Sequence, residues 1–393
     1  MINMLNFEYC SPTNFVFGKD TEIQVGELTA VYTEKKKVLL VYGSSRIEKD
    51  GLLEKIENSL KKEEIQAVRL SGVQPNPAVE LVREGCRIVR EEGIDFILAV
   101  GGGSVIDTGK AIACGALYVG DVEDFLTGVA EPEKALPVGS VLTLAATGSE
   151  GSNCAVITIE SGEKAGICNE LIRPKFAVMD PALTCSVPKW HTACGSSDIL
   201  AHIMEPYFTN TPDVDLTDEF IEGLIRTVVK YAPVAVEHPD DYNARAQLMW
   251  CGTLANSGFF HVGRLADTTP HALGERMGAA YTHGATLSVV IPAWMKYTYK
   301  SKLDRYVRFA KNVWGIQTDG ISEDEAALAG IKATEDFLRE LGAPVRLKDL
   351  GFDPATAPAM LAEGDFDGWS QIPGFFFEMN QEDRQKIYEL AAE

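Results

Sequence analysis

The chain holds six histidines, and three of them fall in one window, "FFHVGRLADTTPHALGERMGAAYTHGATL": His261, His271 and His283. Another, His202, stands four residues after Asp198 in "SSDILAHIME". On a helix that spacing puts both side chains on one face, roughly 5–6 Å apart at Cβ. Such a pair serves as an ion pair or as two ligands of one metal. One carboxylate with three imidazoles makes a donor set that suits Fe2+ or Zn2+ and leaves a position for substrate. Pro270 favours the first turn of a helix at His271, and Gly284 reads as a helix stop beside His283. A straight helix would carry His283 about a third of a turn away from His271. The helix is therefore expected to end between them, with Thr282, His283 and Gly284 as the place.

A second cluster has the character of a phosphate site. "ILAVGGGSVIDTGKAIA" runs from an apolar strand through Gly101, Gly102 and Gly103 into a helix. With no Cβ in the way, such a turn lets backbone approach a ligand closely. The helix start offers free N–H groups and the positive end of its dipole to a pyrophosphate. The GxGxxG pattern fails because residue 106 is Ile, and Gly109-Lys110 is followed by Ala without the upstream glycine of a P-loop. The turn is a phosphate cradle of another kind or a plain strand-to-helix connection. A later turn, "TLAATGSEGSN", adds the hydroxyls of Thr143, Thr147, Ser149 and Ser152. Open α/β sheets bind ligands at such carboxyl-end turns; local capping is the structural alternative.

The elements that must position these groups change character along the chain. Between about 35 and 180, "KKVLLVYG", "IQAVRLSGV", "IDFILAVGGG" and "PVGSVLTLAA" read as strands. "GLLEKIENSLKK" and "PAVELVREGCRIVREEG" between them have helical spacing, the latter with Val79, Val82, Cys86 and Val89 on one face. Strands alternating with helices imply βαβ units and a mostly parallel sheet. After about 185 long helical patterns take over, such as "DLTDEFIEGLIRTVVKYAPVAV" and "EDEAALAGIKATEDFLRELG". The expected architecture is an α/β, Rossmann-like nucleotide-binding domain over 1–187 and an all-α helical domain over 188–393.

A length of 393 residues agrees with two domains. The net charge of -21 argues against nucleic acid or an anionic membrane as a partner. Eight cysteines without a CxxC pair read as reduced, buried thiols of a cytosolic protein. "MINMLNFEYC" lacks the pattern of a signal peptide, and no stretch reaches the roughly 18 apolar residues of a membrane span.

Taken together, these segments resemble the iron-containing (group III) alcohol dehydrogenases, especially the NADPH-dependent butanol dehydrogenase and aldehyde reductase branch. The resemblance runs through "FEYCSPTNFVFGKD", "VQPNP", "GGGSVIDTGKA", "DVEDF", "TLAATGSE", "VMDPALTCSVP", "GSSDILAHIMEPY", the histidine window and "FLRELGAPVRLKDLG". It implies the fold shared with dehydroquinate synthase, a homodimer or larger assembly, and interconversion of small primary alcohols and aldehydes. It implies metal ligands at Asp198, His202, His271 and His283. It implies dinucleotide contacts at Asn76, Gly101, Gly102, Gly103, Ser104, Asp107, Thr143, Thr147, Ser152 and Lys164. The family often carries a further histidine four residues after the third ligand; here that residue is Glu275, a carboxylate that would relay a proton, add a fifth metal contact or mark a loss that weakens activity. The segment from Tyr281 to His283 is also two residues shorter than usual.

An acidic residue that selects NAD through the ribose 2′-OH falls, in this family, where Gly43 stands. Gly43, Ser44, Ser45 and Arg46 leave room for a 2′-phosphate, so NADP(H) is expected in preference to NAD(H). Alternatives are a glycerol or polyol dehydrogenase of the same superfamily, a lyase resembling dehydroquinate synthase, and a catalytically impaired nucleotide- or metal-binding homologue.

Overall fold

A computed structural model describes residues 4–43, 46–364, 376 and 379–393. Contacts divide the chain into two compact units, Cys10–Ser186 and Val187–Glu393, the second joined by the N-terminal residues up to Tyr9. That short segment departs from a simple cut at residue 187. The Leu5 amide donates to the Gly263 carbonyl (2.8 Å), and the Tyr9 ring meets Phe259 edge-on at 5.7 Å.

The described residues of the α/β unit form eight strands: β1 (Asn14–Phe17), β2 (Lys37–Tyr42), β3 (Gln66–Leu70), β4 (Phe96–Gly101), β5 (Val138–Leu142), β6 (Cys154–Thr158), β7 (Lys164–Cys168) and β8 (Phe176–Met179). Six form one parallel sheet in the order β1-β8-β5-β4-β2-β3, and β6 with β7 makes a separate antiparallel pair. Every residue of β4 and β5 is buried, which is why these strands read as continuous apolar runs rather than alternating ones. The register pairs Tyr42 with Val100 and Val100 with Val141, so β2, β4 and β5 finish level at their carboxyl ends. The chain runs outward from β2 to β3 and then returns to β4 on the other side of β2. That reversal is the topological switch point at which open α/β sheets bind ligands. The helix Val79–Glu92 buries Val79, Val82, Cys86 and Val89 as its spacing predicts.

The helical unit is built from Lys189–Tyr207, Asp215–Glu237, Tyr242–Ala255, Thr269–Glu275, His283–Thr298, Leu303–Trp314, Glu323–Glu340 and Gln381–Ala392, with shorter turns between them. Its centre is His283–Thr298, buried continuously from Gly284 to Met295. A helix apolar on all sides belongs in a core. It packs against Lys189–Tyr207 and Gln381–Ala392, with Trp294, Tyr306, Phe309, Leu338 and Tyr388 filling the interior. Among the described residues no helix is long and apolar enough to cross a membrane.

Two expectations are corrected. Gly284 does not stop a helix. The helix bearing His271 ends at Glu275, the chain turns through Gly278 at φ 94°, and Thr282 caps a new helix that begins at His283. The cysteines are not all reduced and buried either. Cys154 and Cys168 stand directly opposite each other in the β6–β7 ladder, Cα to Cα 4.1 Å, and form a disulfide, while Cys10 is exposed.

Candidate functional site

The helix Lys189–Tyr207 carries Asp198 and His202 one turn apart. It begins after Pro188, and all but one residue from Thr192 to Tyr207 is buried. Its small residues, Ala193 to Ser197, allow a neighbour to come very close. That neighbour is the first turn of His283–Thr298: a Cβ on Gly284 would lie 1.9 Å from the Cys194 carbonyl oxygen. Only glycine fits there, and the contact sets His283 beside Asp198. Pro270 opens the helix Thr269–Glu275 and puts His271 on its first turn.

These three elements bring four side chains to one point. The Nε2 atoms of His202, His271 and His283 lie 3.4, 3.8 and 3.8 Å from Asp198 Oδ1. The His202 and His271 rings are 4.5 Å apart between centroids, and those of His271 and His283 are 5.1 Å apart. Asp198 Oδ1 and His271 Nε2 are buried and have no hydrogen-bond partner among the described residues. Such atoms are costly unless something else satisfies them. A tetrahedral ion with bonds of about 2.1 Å spaces its ligands about 3.4 Å apart; the donor atoms of Asp198, His202 and His271 all lie within 4.8 Å of one another, a set able to close on one divalent cation, and His283 approaches the same carboxylate oxygen at 3.8 Å.

The electrostatics agree. Burial works to raise the Asp198 carboxyl, but the rings of His202, His283 and His271 outweigh it and hold it well below the usual carboxylate range. Burial, helped by neighbouring His271, pushes His202 down to about 3, so the ring is neutral and its lone pair is available at neutral pH. Burial also opposes charge on His271, but Glu205 and Asp198 outweigh it and push that ring up to about 10. His261 does not join the cluster as a donor to Asp198; burial pushes it down to about 4.

The nucleotide contacts expected from the sequence all belong to the α/β unit. Gly101 ends β4, Gly102 caps the helix Gly103–Gly115, and Ser104 lies in its first turn. A Cβ on Gly103 would meet Thr147 Oγ1 at 2.4 Å, so this turn and the "TLAATGSE" turn touch. Thr143 follows β5, its amide donating to the Gly101 carbonyl (3.0 Å). Ser152 accepts from the Cys154 amide (3.1 Å). Asn76 adopts φ 54°, and its carbonyl accepts from Thr158 Oγ1 (3.3 Å). Lys164 pairs with Thr158 at the start of β7. Asp107 is engaged within the protein: its two oxygens accept from Ser149 Oγ (2.5 Å) and the Val156 amide (3.0 Å). Ser44 and Ser45 lie outside the described residues. Gly43 follows β2 at the switch point. A cavity of about 250 Å³ in this unit is lined by Arg46, Lys55, Thr143, Leu183 and Ser186, among others. Arg46 Nη1 donates to the Ser186 carbonyl (3.1 Å), and Lys55 pairs with Glu22 Oε1 (2.8 Å).

Residues 12–181 match the iron-containing alcohol dehydrogenase family, and residues 192–392 match the C-terminal part of the Fe-containing alcohol dehydrogenase family. The chain belongs to the iron-containing alcohol dehydrogenases. It is 40% identical over 352 residues to NADH-dependent butanol dehydrogenase A of Clostridium acetobutylicum, spanning 88% of this chain and 90% of that protein. It is 35% identical to the NADPH-dependent aldehyde reductase YqhD of Escherichia coli, spanning 99% of this chain and 100% of that one. The crystal structure of NADH-dependent butanol dehydrogenase A from Thermotoga maritima superposes with a TM-score of 0.92 at 37% identity, over 100% of each chain. An iron-containing alcohol dehydrogenase is an oxidoreductase that works with a nicotinamide nucleotide and a divalent metal, and both structural units have groups suited to these.

Two residues of this iron-containing alcohol dehydrogenase were not singled out from the sequence. Glu205, buried, touches His271 Nδ1 at 2.5 Å. It stands seven residues after Asp198 and three after His202, so the helical face that reveals that pair also reveals Glu205. Lys110, fully buried, donates from Nζ to Ser149 O, Ser149 Oγ and Cys154 O at 2.6–2.8 Å. Lysines are mostly exposed, and nothing local signals either its burial or its partners.

Proposed function

We propose that this protein interconverts small primary alcohols of the butanol class and their aldehydes, preferring NADP(H). One observation carries the reading: three imidazole nitrogens each lie within 3.8 Å of a single buried carboxylate oxygen. Asp198, His202, His271 and His283 would hold a single Fe2+ or Zn2+. When bound, the ion supplies Lewis acidity toward a carbonyl oxygen and the nicotinamide supplies or accepts hydride. Asp198 offsets one unit of positive charge, and neutral His202 contributes its lone pair without first losing a proton.

In the α/β unit, Gly101, Gly102, Gly103 and Ser104 present backbone N–H groups to a pyrophosphate. Asn76, Thr143, Thr147, Ser152 and Lys164 supply further polar contacts to the nucleotide. Asp107 contributes by holding Ser149 and β6 against the helix that starts at Gly103. Glu275, one turn beyond His271 on the same helix, is our candidate for delivering a proton to the product alkoxide. The absence of a carboxylate at Gly43, with Arg46 on the nearby cavity, supports room and charge for a 2′-phosphate. The activities named for the relatives support butanol and its aldehyde as substrates, and the family resemblance supports a homo-oligomer.

The test is nucleotide consumption with butanal, using NADPH and NADH at equal concentration, before and after chelation. The reading requires aldehyde-dependent oxidation that a chelator abolishes and Fe2+ or Zn2+ restores, with NADPH the better donor. Full activity of the metal-free protein would overturn the metal's role; equal or faster turnover with NADH would overturn the nucleotide preference alone.

A further inference from the structure

We propose that Glu205 is a positioning residue that fixes the tautomer and orientation of His271 and so sets the affinity of the metal centre. The inference rests on the metal reading of Asp198, His202, His271 and His283.

His271 has two ring nitrogens with different surroundings. Nδ1 lies 2.5 Å from Glu205 Oε1, while Nε2 faces Asp198 and has no hydrogen-bond partner among the described residues. A carboxylate accepts but cannot donate, so Nδ1 keeps its proton, and it is the Nε2 proton that a metal displaces to reach a lone pair. That is the tautomer a ligand at Nε2 needs, and a carboxylate behind the ring also raises its basicity.

The orientation is held as firmly as the tautomer. Glu205 Oε1 also accepts the His271 backbone N–H (3.2 Å), and the Glu205 carbonyl accepts the Asp267 N–H (3.1 Å). One residue thus grips the ring, the backbone at the helix start and the chain leading into it. Asp267 in turn accepts from the Thr269 amide (2.9 Å). Glu205 is only 4% exposed, and a buried carboxylate persists only where it is well partnered. Asp198, His202 and Glu205 share one face of one helix, so that helix supplies two ligands and the support for a third.

The experiment is equilibrium Co2+ binding to metal-free protein, followed by visible absorption and by competition with a chelator. It compares the wild type with Glu205→Gln and Glu205→Ala, and circular dichroism reports the fold of each. The wild type should bind one Co2+ per chain. Glu205→Gln keeps an acceptor but loses the charge, and should bind about 10-fold more weakly. Glu205→Ala should bind about 100-fold more weakly, with an altered Co2+ spectrum. If Glu205→Ala fails to fold, Glu205→Gln decides the question. Affinity within twofold of wild type and an unchanged spectrum for folded Glu205→Gln would overturn the role of Glu205 while leaving the metal centre intact. A wild type that binds no stoichiometric Co2+ would overturn the metal reading itself, and this inference with it.

Discussion

Gly284 meets Cys194 backbone to backbone, so closely that a Cβ would fall 1.9 Å from the Cys194 carbonyl oxygen and 3.1 Å from its Cα. This contact lies one residue after His283 and four before Asp198. The separation of the two helices at this point therefore sets the separation of two candidate ligands. Replacing Gly284 with Ala forces the helices apart, because neither wall of the contact is a movable side chain. We expect a stability loss of about 1–3 kcal/mol from overpacking, measured by denaturant unfolding. We expect turnover to fall about 100-fold, since displacements near 1 Å at a reacting centre cost that much. Unchanged kinetics would show that the helix approach does not position His283.

The glycine turn in the other unit offers a contrasting test. A Cβ at Gly103 meets the Thr147 side chain rather than backbone. Gly103→Ala should therefore raise the apparent KM for nucleotide several-fold and leave metal content unaltered. Gly103→Val, which is larger still, should reduce nucleotide binding more than tenfold. Isothermal titration with NADPH against metal analysis separates the two effects. Loss of metal with intact nucleotide binding would contradict the division of labour proposed for the units.

Glu335 gives the helical unit an acid-sensitive anchor. Its carboxylate contacts Lys296, Arg339 and Arg346, each at 2.7 Å. Burial would raise its pKa, but hydrogen bonds from Arg346, Lys296 and Arg339 outweigh this and push it down to about 2. A folded pKa below the unfolded one means stability that is fully present above about pH 4.5. It is lost as pH falls from there through 2. Glu335→Gln should lower stability at pH 7 and flatten the fall between pH 4.5 and 2. Parallel stability–pH curves for the variant and the wild type would contradict this.

Glu275 is testable through the pH dependence of turnover. Glu275→Gln keeps the size of the side chain and removes its proton. If Glu275 delivers the proton to the alkoxide, kcat should fall 10²–10⁴-fold, the usual range for general acid catalysis. One limb of the pH–rate profile should disappear with it. A profile of unchanged shape would exclude Glu275 and leave water or a ribose hydroxyl as the donor.

Much of this architecture is readable from residue patterns. β2, β4 and β5 announce themselves as apolar runs bounded by turns, and the helix Val79–Glu92 by its buried spacing. β1 and β8 do not, because "NFVF" and "FAVM" are too short for a period to appear. The β6–β7 hairpin and its disulfide depend on a register that puts Cys154 opposite Cys168, which spacing alone cannot reveal. Asp198 with His202 is a local signal, since both lie on one helix. The approach of His283 is not. It depends on a helix break at Glu275, a left-handed turn at Gly278 and the missing side chain at Gly284, three features that acquire meaning only in three dimensions. The expectation that Gly284 stops a helix followed the commonest use of glycine; close packing is its use here.

The central claim is that Asp198, His202, His271 and His283 hold one cation. Anomalous diffraction from crystals loaded with Fe2+ or Zn2+ tests it most directly. The account predicts a single strong peak per chain within about 2.0–2.3 Å of Asp198 Oδ1 and of the three Nε2 atoms. A peak elsewhere, or one bound by fewer than these four side chains, would contradict it.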